Sequence, residues 1–164
     1  MTLFPLLMII AGAGDALSFR IPNWLTILIT VAFFPMALAT AMPLAALGLH
    51  VATGLGLFAV GFALFSFGLF GGGDAKLLAA TGLWLGWPDC VTFLVLTAFA
   101  GGVLAVVVWV WSLINLDWSF KERRWFERFA AIKPNVPYGY AFAVGAILAF
   151  PQSWWISGAG PGGS

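Results

Sequence analysis

Six apolar stretches, each separated from the next by a short break or a charged loop, constrain this chain more than any other feature. They fall at residues 2–17, 24–42, 47–70, 75–87, 91–116 and 136–156. A helix needs roughly 20 apolar residues to cross about 30 Å of hydrocarbon, where the backbone must satisfy its own hydrogen bonds. The pattern predicts an all-α polytopic membrane protein, a bundle of about six transmembrane helices forming one domain over residues 1–157. Residues 158–164, Gly-Ala-Gly-Pro-Gly-Gly-Ser, read as a flexible tail. Of the 164 residues, 62% are hydrophobic and 8% charged, against roughly 25% charged in soluble domains. That balance excludes a soluble domain, a disordered segment and a basic nucleic-acid module.

The formal net charge is only +1, so the message lies in placement. With six crossings, Arg20, Lys76 and the group Lys121, Arg123, Arg124, Arg128 and Lys133 all fall on one side. The positive-inside rule makes that side cytoplasmic and puts both chain ends outside the cytoplasm. The fourth stretch is the short one, rising about 20 Å at 1.5 Å per residue, yet without it the segregation of charge collapses. Trp84, Trp87, Trp154 and Trp155 are then expected at the outer interface, and Trp24, Trp118 and Trp125 at the inner one, as anchors. Residues 117–137 carry Trp118, Trp125, Phe129 and Ile132 at helical spacing opposite Lys121, Arg124 and Arg128, the pattern of a surface-lying amphipathic helix. Residues 1–17 contain a small-residue run resembling a signal-cleavage site but no basic n-region, and read as a retained first helix.

Ionisable groups inside apolar helices are costly, which makes them functional candidates. Asp15, near the end of the first stretch, and Asp74, opening the fourth, come out at one depth on the cytoplasmic side. Two acids at one level can share a proton, one acting as base and the other as acid, the arrangement that activates water for attack on a peptide carbonyl. The plain alternative is that each is an interfacial helix-end residue. Asp74 opens a helix and Asp15 closes one, so the helix dipoles suggest an ionised base at Asp74 and a protonated acid at Asp15. Gly71, Gly72 and Gly73 would give the backbone access to positive φ and let a substrate strand approach, with Asp74 capping the helix after them. Lys76 and Arg20 are candidate supporting cations, although snorkelling to the headgroups also accounts for them. Asn23 reads as a helix cap.

Serine chemistry fares worse. His50 is the only histidine, and it lies toward the opposite end of its helix from Ser66. Ser153 or Ser157 matches its depth, with nothing marking either as a nucleophile. The single Cys90 cannot pair internally or build a zinc site and reads as a small buried residue. Neither a metal nor a cofactor is expected. Gly68-x-x-x-Gly72 and Gly82-x-x-x-Gly86 read as close-packing motifs, and Pro35 as a kink.

Asp15-Ala-Leu-Ser-Phe-Arg20-Ile21-Pro22-Asn23, Gly71-Gly72-Gly73-Asp74-Ala75-Lys76-Leu77 and Pro137-Tyr138-Gly139, taken in order, resemble the three landmarks of the type IV prepilin peptidases. The resemblance implies an aspartyl protease of the bacterial cytoplasmic membrane. It cuts the basic leader from a prepilin or pseudopilin at the cytoplasmic face, with Asp15 and Asp74 as the catalytic pair. Larger relatives carry a cytoplasmic insertion and also methylate the new N-terminus. Only four residues, Arg20 to Asn23, separate the Asp15 segment from the second stretch here, so peptidase activity without methylation is expected, as in the short enzymes of tight-adherence (Flp) pilus systems. A contact between Pro137-Tyr138-Gly139 and the leader is one option; setting the entry of the sixth helix is the plainer one. The competing readings are a small carrier or proton pathway and a structural subunit of a pilus or secretion machine.

Overall fold

A computed structural model describes residues 2–18, 21–114 and 138–157. The described residues form seven α-helices and no strand: α1 (Leu3–Ser18), α2 (Asn23–Ala39), α3 (Leu44–Ser66), α4 (Gly72–Leu85), α5 (Asp89–Ile114), α6 (Tyr138–Ala149) and, after a 3₁₀ turn at Phe150–Gln152, α7 (Trp154–Ser157). The sixth apolar stretch is therefore not one helix. Pro151 enters the 3₁₀ turn, and its missing N–H cannot continue the α-helical ladder. Arg20, residues 117–137 with their expected amphipathic helix, and the expected tail 158–164 lie outside the described residues.

α4 is the hub. Although it has only 14 residues, every position from Ala80 to Leu85 is buried, because α2, α3, α5 and α6 pack against it and side chains of α1 reach it. α3 runs antiparallel along one flank: Gly61 lies against Ala75, Gly54 against Ala79 and Leu83, and Gly82 against Leu57. These small residues let the two backbones approach. On another flank α1 runs antiparallel to α4, with Phe4 stacked on Trp84 at 5.0 Å between centroids and the Thr81 hydroxyl donating to Met8 Sδ at 3.7 Å. α2 lies parallel to α4, bound at one end by Lys76 Nζ donating to Asn23 Oδ1 (2.9 Å) and further up by the Trp84 indole N–H donating to the Ile29 carbonyl (2.8 Å). α6 lies antiparallel to α1, with Gly12 against Ala143 and Phe4 near Phe150. α5 covers the outer side of α6 through Thr97 and Gly145. The ends of α1 and α3 and the starts of α2, α4 and α6 thus share one end of the bundle.

The far end holds an aromatic core of Phe4, Phe33, Trp84, Phe150 and Trp155 around a buried His50. This corrects the expectation that Trp84 and Trp155 anchor at an interface: they are 1% and 4% exposed. Each stays inside because its indole N–H finds a backbone carbonyl, Ile29 for Trp84 and Trp84 itself for Trp155. Trp87 and Trp24, by contrast, are exposed. The outward faces of the helices are apolar too, including Leu6, Ile9 and Ile10 of α1 and Ile27, Val31 and Phe34 of α2. Among the described residues, Leu44–Ser66 and Asp89–Val107 are long and apolar enough to cross a membrane; Leu3–Asp15, Asn23–Ala39 and Gly139–Gln152 are shorter apolar helices.

Candidate active site

The register of α1 against α4 determines where the two acids sit. Met8 faces Thr81; Asp15 is seven residues beyond Met8, and Asp74 seven before Thr81. Seven residues fall only about 20° short of two full turns. Each carboxylate therefore lies on the same face of its helix as the contact above it, and the antiparallel run brings both to one level. They are close enough for Asp15 to act electrostatically on Asp74.

Asp74 occupies the third position of α4, where it is not the N-cap expected from sequence. Gly71 is the cap, and the Asp74 carboxylate reaches back to accept its N–H at 3.0 Å. That satisfies one of the donors that a helix start leaves open. A Cβ on Gly71 would lie 2.9 Å from Asp74 Oδ2, and one on Gly73 would lie 3.1 Å from Ile21 Cβ. None of Gly71, Gly72 or Gly73 has positive φ; among the described residues the positive-φ glycines are Gly68 and Gly86. Gly71 and Gly73 are thus required for space, whereas a Cβ on Gly72 would only touch the Phe65 ring at 3.6 Å, and the expectation of special dihedrals is corrected. Gly68 likewise belongs to the turn after α3 with open space around it, so Gly68-x-x-x-Gly72 is not a packing motif. In the second motif, Gly82 lies against Leu57 and Gly86 against the His50 ring.

Asp15 is buried, at 5% exposure, in the last turns of α1. Its Oδ2 accepts the Gly139 N–H at 2.9 Å, and the Tyr140 N–H is directed at the same carboxylate. The opposition of helix dipoles inferred from sequence therefore does not separate the two acids. Asp74 sits at the start of its own helix and Asp15 at the start of α6, so each carboxylate faces a helix N-terminus. Phe70, just before the glycines, meets Phe142 of α6 edge-on at 5.9 Å and ties the two helix starts together on this side.

The supporting residues divide. Gly71 and Gly73 shape the ground beside Asp74, and Gly72 lies near the Phe65 ring. Lys76 follows Asp74 by two positions, about 200° further round the helix. It is exposed, and its ammonium is held by Asn23 Oδ1. It braces α2 to α4 on the side away from the carboxylates, and Asn23 is its partner, with Pro22 as the helix cap. Asn23's role as a cap is thereby corrected. His50 stands at the opposite end, its Nδ1 against the Leu83 carbonyl at 2.8 Å, and the Ser153 hydroxyl donates to the Phe150 carbonyl at 2.6 Å. Among the described residues, no three His, Cys, Asp or Glu side chains come together as a metal site. Sequence reasoning missed the bond from Gly139 to Asp15. The signal was present in Pro137-Tyr138-Gly139, but a backbone donor leaves no trace in side-chain type.

What this end of the bundle offers is two carboxylates at one level, each fixed by backbone N–H groups, with Asp74 half-buried and Asp15 buried. No curated protein and no solved structure matches the chain. The type IV leader peptidase family matches residues 2–106, a stretch that holds α1 to α4, most of α5 and both carboxylates. With more than half of its length matched, the chain belongs to the type IV leader peptidase family.

Proposed function

We propose that this chain is an aspartyl endopeptidase working within the membrane, with Asp15 and Asp74 as its catalytic pair. The observation that carries the reading is the α1–α4 register, which sets two acids of remote sequence position at one level on facing helices. One carboxylate, ionised, takes a proton from a water molecule as the oxygen attacks the scissile carbonyl carbon. The other, protonated, gives its proton to the carbonyl oxygen. The resulting diol collapses, the C–N bond breaks, and the departing amine takes up a proton from the pair. The protein needs no cofactor for this chemistry.

The substrate is a prepilin or pseudopilin, whose basic leader lies at the cytoplasmic face while its apolar helix lies beside the enzyme in the bilayer. The apolar outward faces and the two long apolar helices support a bilayer setting. The alternation of helix directions supports six crossings of the bacterial cytoplasmic membrane by a single domain, 1–157. On that topology the carboxylate end faces the cytoplasm and both termini lie outside it. The short link between α1 and α2 leaves no insertion there, which supports cleavage without N-methylation, as in Flp-type pilus systems.

The test is leader removal by the purified protein in liposomes, followed by mass spectrometry with a Flp-type prepilin as substrate. Wild type should release the leader and leave an unmethylated product when S-adenosylmethionine is supplied. Asp15→Asn and Asp74→Asn should fold with unchanged helicity and leave the prepilin intact; full cleavage by either variant refutes the pair.

A further inference from the structure

Asp15 is placed where its own helix would repel it. The last turn of α1 presents carbonyl oxygens, which disfavour an anion. The compensation comes from a different helix, more than 120 positions away in the chain, because Gly139 and Tyr140 open α6 with N–H groups that have no partner within that helix. The approach is possible only without a side chain at position 139: a Cβ there would lie 2.8 Å from both Asp15 Cβ and Asp15 Oδ2, and 2.9 Å from Cγ. Nearer the middle of the same pair of helices, a Cβ on Gly12 would lie 2.6 Å from the Ala143 Cβ, so the two backbones are drawn together along their length. Gly139 lies beyond the stretch that matches the family.

We propose that the first turn of α6 is the positioning element of Asp15, with Gly139 as the positioning residue. Its N–H holds Oδ2 as an acceptor and leaves Oδ1 to carry the proton. Asp74 is held in the same manner, its Oδ2 accepting from Gly71. An oxygen engaged by a backbone N–H is the carbonyl-like oxygen of a carboxyl group, so proton traffic in the pair runs between the two Oδ1 atoms. Backbone donors suit this task because they neither titrate nor change rotamer. The inference rests on the reading of Asp15 and Asp74 as the catalytic pair and adds to it the part that aims one member.

Gly139→Ala keeps the N–H but pushes the carboxylate aside, and Gly145→Ala serves as its control, overpacking α6 against Thr97 on the opposite side. In prepilin cleavage, Gly139→Ala should lower kcat on the order of 100-fold, the cost of misplacing a reacting group by about 1 Å, with KM within about twofold of wild type. Gly145→Ala should lower the unfolding temperature instead, with kcat per folded molecule within about twofold of wild type. Cleavage by Gly139→Ala at the wild-type rate overturns the proposal. Amide exchange settles the matter even if Gly139→Ala does not fold: Asp15→Ala should speed exchange at Gly139 and Tyr140, whereas Asp74→Ala should not, and unchanged exchange in Asp15→Ala overturns it too. Should Asp15→Asn itself cleave normally, the catalytic pair fails. Should Asp15→Asn be inactive while Gly139→Ala is active, the pair stands and the positioning role falls.

Discussion

At the aromatic end of the bundle, side chains donate and the backbone accepts: His50 meets the Leu83 carbonyl, Trp155 the Trp84 carbonyl and Trp84 the Ile29 carbonyl. At the carboxylate end the relation is reversed, and the Asp74 and Asp15 carboxylates accept from Gly71 and Gly139. Helix polarity explains the contacts of α4 with His50, Trp155 and Asp74 and that of α6 with Asp15, whereas the Ile29 carbonyl lies in the interior of α2. α4 begins at the carboxylate end, where its first N–H groups are unpaired, and finishes at the aromatic end, where its last carbonyls are. Asp15 and Asp74 therefore meet helix N–H groups at one end of the bundle, and His50 and Trp155 meet the last carbonyls of α4 at the other. The difference teaches how a short apolar chain separates its tasks. The aromatic end closes the Trp84, Trp155 and His50 donors into a packed core. At the carboxylate end two acids rest on backbone N–H groups beside glycines that leave no space for a side chain.

Breaking that division should give its largest effect at the carboxylates. Asp15→Asn or Asp74→Asn should lower prepilin cleavage by about a thousandfold or more while leaving the unfolding temperature in detergent near wild type, because amide oxygens still accept the backbone bonds. The next largest effect belongs to the other end. Trp84→Ala removes the stack on Phe4, the edge contact with Phe33 and the donor to Ile29; it should cost about 3–5 kcal/mol, read from denaturant unfolding in micelles. Molecules that remain folded should cleave prepilin normally. A Trp84→Ala protein that is stable but inactive would show that the two ends are not separate in the way argued.

How much of this was legible in the sequence depends on which atoms carry the contact. The helical character and the first five helices in order follow from the apolar runs, although the sixth run breaks at Pro151 into α6, a 3₁₀ turn and α7, and the common level of Asp15 and Asp74 follows from the alternation of helix direction together with the single-sided basic residues. Burial of Trp84 and Trp155 was not legible, since hydropathy says that tryptophan suits an interface but not which way a helix turns it. Nor was the reason for Gly71 and Gly73: sequence suggests glycine for dihedral freedom, whereas here the neighbours Asp74 and Ile21 occupy the place of a side chain. The hold of Gly139 on Asp15 was hidden because the donor is main chain and lies at the far end of the sequence.

The α3–α4 seam, which links the two ends, sharpens the comparison at smaller magnitude. Gly61→Ala would set its Cβ 3.0 Å from the Ala75 Cα, a backbone atom beside Asp74, whereas Gly82→Ala would meet the tip of Leu57. Backbone cannot yield as a leucine methyl can. Gly61→Ala should therefore cost about 1–3 kcal/mol and slow cleavage by displacing the start of α4. Gly82→Ala should cost less and leave cleavage alone. Equal effects from the two would mean that the seam transmits strain evenly and that the carboxylate end is not specially dependent on its glycines.

The smallest effect, and the one most diagnostic of direction, is at Lys76. The sequence places a cation two residues from Asp74, which invites a role in steadying charge on the substrate carbonyl. The structure turns it to the far side of α4, exposed and bound to Asn23. An exposed polar pair of this kind contributes under about 1 kcal/mol, so Lys76→Met should barely move the unfolding transition. Because the methionine retains an apolar stem along α2, kcat should stay within about twofold of wild type. Lys76→Met and Asn23→Ala should behave alike, and the double variant should add nothing, as expected for two partners in one bond. A large loss of kcat in Lys76→Met with Asn23→Ala unaffected would instead place the ammonium in the chemistry. Lys76 would then have to leave Asn23 and cross the start of α4 when substrate binds.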